Sequence, residues 1–299
     1  MTELNNTTQK WVDMIGRPDH YNYKPDLRLV RHFETTEFHG ELYEQANGPG
    51  TVQKTLMMLP KTINEQLPAV VVPFYYPDRA AGYNLDTLEP TNESGIAIAL
   101  HLVRRGYVTI TAESYHLTYQ NLELERQDFS RWRLSADSLL RDHPEWTGIG
   151  KLIADTQLLV DILCADPRVD SERIGIAGHS LGGKVALYAG CLDHRIKAML
   201  CSDFGMDWDR SNWSDPWYWG EKLNKLKSAH MDHSELLRIG GLKPIVFIAG
   251  QYDNEGGLDY LKRAGYSDSS NYLFINHASG HRPPMAVLEQ GYDFLQTRF

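Results

Sequence analysis

The chain predicts an α/β fold, a mostly parallel, doubly wound sheet with antiparallel N-terminal strands, held in a single domain over residues 1–299. Three observations lead there. From residue 68 onward, short apolar runs alternate with segments of helical periodicity. Before them lie two stretches rich in β-branched and aromatic residues, with a Gly/Pro turn between. Finally, Arg173 to Lys184 passes from a buried-strand pattern directly into a helical one across Gly178-x-Ser180-x-Gly182.

Taken in order, residues 1–30 are polar, carry Trp11, Pro18 and Pro25, and show no period; they read as an N-terminal extension lying on the domain. His20 and Tyr21 are expected to pack on the surface. Phe33–Tyr43 and Val52–Leu59 read as two strands joined at Asn47-Gly48-Pro49-Gly50. Pro68–Pro77 is a buried strand running into a loop. Ser94–Arg105 is a helix stopped by Gly106, and Tyr107–Ala112 is the next strand, so a βαβ unit turns the sheet parallel here. Residues 113–150 look irregular. Gly148–Cys164 is a long apolar helix, and Asp166-Pro-Arg-Val-Asp170 turns into the strand before Ser180. Ile196–Cys201 is a strand. About 204–243 forms an aromatic-rich, cap-like connection, of a length that usually carries structure or function of its own. Strand 244–249, helix 257–264, strand 272–275 and helix 285–295 close the chain.

Composition is that of an ordinary globular protein, 42 % hydrophobic and 23 % charged. The formal net charge of −9, with no Lys/Arg cluster, argues against nucleic acid or an anionic membrane surface as a partner. Three cysteines without paired spacing argue against a disulfide framework. The first residues lack a basic start and an apolar core, and no apolar run reaches membrane-spanning length, so a soluble, cytoplasmic protein is expected.

The chemistry centres on Gly178-His179-Ser180-Leu181-Gly182-Gly183. A serine at the tip of a sharp strand-to-helix turn has its Oγ exposed, and small neighbours let strand and helix approach. The N–H of Leu181 and the helix N-terminus then face the place where negative charge develops. Such a five-residue pattern arises by chance only ~0.1 times in a chain of this composition, and here the strand before and helix after supply its context. A serine nucleophile needs a base, and the base an orienting carboxylate. In this topology they follow as acid, then His, each at a strand's C-terminal end. Strand 244–249 ends in Gly250-Gln251-Tyr252-Asp253, and strand 271–276 in His277-Ala278-Ser279-Gly280-His281.

Gly178-His-Ser180-Leu-Gly182-Gly183, Ala249-Gly250-x-x-Asp253 and Gly280-His281 in this order resemble the α/β-hydrolase superfamily over roughly residues 68–299. Asp166–Asp170, Ser211-Asn-Trp213, Trp217-Tyr218 and Asp232-His-x-Glu235 resemble its dienelactone hydrolase and acetyl xylan esterase-like branch. Dienelactone hydrolases use a Cys nucleophile, so Ser180 points to the serine esterase side. The resemblance implies the α/β-hydrolase fold, with Ser180 as nucleophile, His281 as general base and Asp253 as orienter. His277 is the rival base and Asp203 the alternative acid; His179 is expected to pack in the core. Leu181 and a backbone N–H of Phe74 or Tyr75 should form the oxyanion hole. Trp208, Trp213, Trp217 and Tyr218 either form a substrate pocket for a sugar, acyl or aryl group, or pin the connection to the core. His230-Met-Asp232-His233 has metal-ligand residue types, but Asp232 with Glu235 reads better as a helix N-cap, and no metal is expected. The function expected is a serine carboxylesterase or deacetylase acting on a carbohydrate or small-molecule ester, without a cofactor. The alternatives are a peptidase- or thioesterase-type acyl hydrolase and a non-catalytic binding module.

Overall fold

The computed structural model describes residues 2–16, 26–48, 51–92, 94–253, 255–267 and 269–299. His20, Tyr21 and the turn residues Pro49 and Gly50 lie outside them. The chain runs α1 (Thr2–Ile15), β1 (Leu27–Glu34), β2 (Phe38–Gly48), β3 (Thr51–Pro60), β4 (Leu67–Val71), α2 (Pro77–Ala81), α3 (Ile98–Arg104), β5 (Val108–Ala112), α4 (Tyr115–Thr118), α5 (Phe129–Asp142) and α6 (Gly148–Ala165). It continues through β6 (Val169–His179), α7 (Leu181–Leu192), β7 (Ile196–Ser202), α8 (Lys222–Ser228), α9 (His233–Ile239), β8 (Ile245–Ala249), α10 (Gly256–Ala264), β9 (Tyr272–Asn276) and α11 (Met285–Gln296).

One sheet has the order β1-β2-β3-β5-β4-β6-β7-β8-β9. The contacts β1–β2, β2–β3 and β3–β5 are antiparallel; from β5 to β9 every neighbour is parallel. This is the α/β-hydrolase arrangement with antiparallel strands at its N-terminal side. The central strands are apolar on both faces because helices cover both. Ala69 and Val71 of β4 and Ile245 and Phe247 of β8 join the core under α6 and α7. Their neighbours Val70, Val72, Val246 and Ile248 join the core under α3 and α11.

Three elements differ from the reading of the sequence. The stretch 33–43 is two strands rather than one. Thr35 Oγ1 accepts hydrogen bonds from Glu37 N (3.1 Å) and Phe38 N (3.0 Å), a side-chain-closed turn that reverses the chain. The polar N-terminal stretch contains a helix, α1, whose Trp11 and Ile15 are fully buried. Its period is hard to see because so few apolar residues carry it. The stretch 113–150 is not irregular: α5 spans Phe129–Asp142 and starts at an N-cap, Asp128 Oδ1 accepting from Ser130 N at 2.7 Å.

Candidate active site

β6 ends at His179 and α7 begins at Leu181, so Ser180 alone makes the turn, at φ 58 and ψ −115. A non-glycine residue holds that backbone only where its surroundings over-determine it. Here Ser180 N donates to Ser202 O on β7 at 2.8 Å, and Lys184 N to Ser180 O at 3.1 Å. The glycines are required by close approach. A Cβ on Gly178 would strike the Gly182 backbone, one on Gly182 would strike Pro73 O, and one on Gly183 would come within 2.8 Å of Ser202 O. Strand, helix and the loop after β4 therefore meet at Ser180 with no room for a side chain between them.

The loop after β9 brings the base. Ser180 Oγ donates to His281 Nε2 at 2.9 Å. The loop is tied to the one after β8 by Gln251 N donating to Gly280 O (2.7 Å), and it bends through positive φ at Ala278 (50°) and Gly280 (60°). The His281 ring sits against Tyr252 (centroids 4.9 Å) and His179 (4.8 Å). Burial, then the nearby charges of Lys184 and Arg282, lower its pKa to about 4, so it is neutral and able to accept a proton at neutral pH. His281 Nδ1 is buried and has no hydrogen-bond partner among the described residues.

The two candidate acids occupy different positions. Asp253 does not stand on His281: its oxygens accept from Gly205 N (3.0 Å) and Met206 N (2.7 Å), closing the loop after β7. Two backbone N–H groups at the end of a neighbouring strand outcompete the more distant imidazole for this carboxylate. Asp203, at the end of β7, is fully buried and holds φ 52. His277 Nε2 donates to Asp203 Oδ1 at 2.8 Å, Ser202 Oγ donates to Oδ2 at 2.5 Å, and His179 Nδ1 lies 3.8 Å from Oδ2. His277 Nδ1 accepts from Ser279 N at 3.2 Å, so His277 is paired with the acid while His281 is paired with the serine. Burial pushes the Asp203 carboxyl up to about 6.

Leu181 opens α7, and Phe74 and Tyr75 follow β4 against it. Burial raises the pKa of the Tyr75 phenol, which lines the same cavity as Ser180, to about 12, so it stays protonated. Sequence reasoning considered only the backbone here.

Ser180, His281, Asp203 and His179 share one cavity of about 730 Å³. His179, expected in the core, is buried but forms part of the cavity lining. Trp217 and Tyr218 line it as expected, whereas Trp208 and Trp213 do not. Trp208 Nε1 donates to Met231 O (2.9 Å), Trp213 Nε1 donates to Gly205 O (2.7 Å), and both rings pack on the buried His233. Each indole N–H finds a carbonyl only by turning inward. Phe129 and Trp132 of α5 take their place. Trp132 stacks on Tyr75 (4.4 Å, 19°) and Phe129 on Trp217 (6.0 Å, 21°). The signal for them was Asp128 as an N-cap followed by Phe129, Trp132, Ala136 and Leu139 at helical spacing.

Beside the cavity, Lys184 is buried. Its Nζ donates to Phe204 O (2.6 Å) and Ser211 Oγ (2.7 Å) and lies over the rings of Trp213 (4.4 Å) and Tyr218 (5.0 Å). Burial lowers its pKa to about 7. Asp232 N-caps α9 through Ser234 N at 2.8 Å, and His233 lies between Tyr188 Oη (2.9 Å) and Met206 O (2.5 Å). Among the described residues no group of three or more His, Cys, Asp or Glu is placed to hold a metal ion. No helix among them is long and apolar enough to cross a membrane.

The profile of the Abhydrolase family matches residues 5–210. A curated protein of Bacillus subtilis (strain 168), named "Putative hydrolase YtaP", is 26 % identical over 201 residues, which are 60 % of this chain and 65 % of that relative. The match thus spans just under two thirds of the relative's length. A glucuronoyl esterase from Solibacter usitatus superposes with a TM-score of 0.73 at 13 % identity, covering 99 % of this chain and 92 % of that one. Acetyl Xylan Esterase 1 from Thermoanaerobacterium sp. superposes with a TM-score of 0.60 at 16 % identity, covering 99 % and 94 %. At these identities the solved structures share the fold.

Proposed function

The chain belongs to the Abhydrolase family, and on that premise we propose that it is a serine ester hydrolase working through an acyl-enzyme. The observation that carries the reading is the 2.9 Å hydrogen bond from Ser180 Oγ to His281 Nε2 at a turn whose backbone is strained to expose that oxygen. Ser180 attacks the ester carbonyl and its proton passes to His281 Nε2. The tetrahedral oxyanion is held by Leu181 N–H and by a donor after β4, the N–H of Phe74 or Tyr75 or the Tyr75 phenol itself. His281 then protonates the leaving alcohol, and water resolves the acyl-enzyme by the reverse proton path. The Ser–His pair needs no cofactor for this.

We assign the carboxylate role to Asp203 rather than Asp253. Supporting this, Asp203 lines the same cavity as Ser180 and His281, and Asp253 does not; its oxygens hold the loop after β7 instead. The imidazolium formed at His281 is stabilised by the negative charge of Asp203, which His277 holds in place. A carbohydrate ester is the substrate class favoured by the aromatic cavity wall and by the named activities of the structural neighbours.

The test is labelling by a fluorophosphonate probe with mass mapping, in the wild-type protein and in His281→Ala. An adduct on Ser180 that disappears in the variant is expected. A folded wild-type protein that takes no label would overturn the assignment.

A further inference from the structure

Arg282 directly follows the proposed base and lines the same cavity. Its side chain is exposed, and among the described residues it has neither an ion-pair nor a hydrogen-bond partner. A second guanidinium, that of Arg79, also lines the cavity, 5.5 Å from the centre of the Phe74 ring. After burial and His281, these two cations are what hold down the pKa of His179 at the site, so both fields reach the neighbourhood of Ser180.

The cavity's carboxylates do not use Arg282. Asp203 is taken by His277 and Ser202, and Asp215 accepts from Asn212 Nδ2 at 2.6 Å. The chain as a whole carries −9, which repels anions at long range. An unpaired guanidinium at the reacting centre of an acidic protein is therefore a local feature, felt within about a Debye length, ~8 Å at physiological salt. Its planar fork matches a carboxylate in two-point geometry. Beside it, Phe129 is 61 % exposed and stacked on Trp217, an apolar face suited to one side of a sugar ring.

We propose that the site selects carbohydrate esters that carry a free carboxylate near the scissile group, bound by Arg282 with the field of Arg79 behind it. This rests on the ester-hydrolase reading of the same cavity. It adds a charge requirement that the reading alone does not contain: an acetylated hexuronate is preferred over the matching neutral hexose.

Binding and turnover are measured separately so that the two readings fail separately. Calorimetry on Ser180→Ala, with and without Arg282→Gln or Arg282→Lys, compares acetylated galacturonic acid with acetylated galactose; thermal melts verify folding. The uronate is expected to bind at least ~10-fold tighter, as a charge-assisted pair allows, with the preference lost in Arg282→Gln, partly kept in Arg282→Lys and weakened by salt. Equal affinities, or a preference unchanged in Arg282→Gln, would overturn the proposal. Turnover of para-nitrophenyl acetate by the wild-type protein decides the ester-hydrolase reading independently: its absence alongside a binding preference would sink that reading and leave a carboxylate-sugar binding site.

Discussion

Asp203 and His277 are joined by a 2.8 Å hydrogen bond that runs across the Cα of Gly250. A Cβ at Gly250 would collide with Asp203 Oδ1 and come within 2.6 Å of His277 Nε2 and 2.8 Å of Gly280 O. The glycine after β8 is thus a condition for the acid–histidine contact. Gly250→Ala is expected to lower kcat by ~10²-fold or more, because displacement of catalytic groups by about 1 Å is costly, with KM less affected. Steady-state kinetics with a melting curve checks this; wild-type kcat in a folded variant would show that the pair is dispensable.

The two acids should separate by substitution. Asp203→Asn is expected to lower kcat by ~10²–10⁴-fold, the range seen when the carboxylate of such a unit is lost. Asp253→Asn should instead leave kcat within several-fold of the wild type, since its carboxylate holds the Gly205 and Met206 N–H groups of the loop after β7. Paired kcat values decide; a kcat collapse in Asp253→Asn alone would reverse the assignment.

The pH dependence follows from the two shifted groups. The proposed mechanism requires His281 neutral and Asp203 ionised. With burial lowering His281 to about 4 and raising Asp203 to about 6, kcat/KM should be level above pH ~7, fall through about 6 and fall again through about 4. Asp203→Asn should lose the step near 6. The stability sign runs the other way. A carboxyl whose folded pKa lies above its unfolded value of 3.8 stabilises the fold increasingly as pH falls from about 6 to about 4, and burdens it above 6. At pH 8, Asp203→Asn should therefore unfold at a higher denaturant concentration than the wild type, by up to ~2 kcal/mol, even as it loses activity.

Phe129 and Trp132 share the cavity wall but differ in burial, 61 % against 4 % exposed. Phe129→Ala should leave stability within about 0.5 kcal/mol and raise KM for a carbohydrate ester several-fold. Trp132→Ala, which also removes the stack on Tyr75, should destabilise by ~3–5 kcal/mol. Equal KM for wild type and Phe129→Ala would remove the ring from substrate binding.

Trp11 of α1 is fully buried against Tyr188 (6.1 Å) and Trp219 (6.4 Å). Thr147 fixes the end of the same helix by donating to Ile15 O. Trp11→Ala is expected to lower stability by ~3–5 kcal/mol, read from chemical denaturation; a change below about 1 kcal/mol would make α1 an ornament.

The sequence by itself determined the parallel half of the sheet and the position of Ser180. Both are local: β-branched runs bounded by turn residues, and glycines at the three positions where a Cβ would strike backbone, are written in contiguous residues. It also placed His281 correctly in the loop after the last strand. What the tertiary structure decided is which partners those residues meet. Asp203 and Asp253 each follow a strand of the same sheet, and nothing local says that Gly205 and Met206 N–H groups occupy one while His277 takes the other. Trp208 and Trp217 are equally aromatic, but the carbonyl available to the Trp208 indole lies inward, at Met231. Side-chain direction is set by competition among hydrogen-bond partners from distant segments, and that competition exists only once the chain has folded.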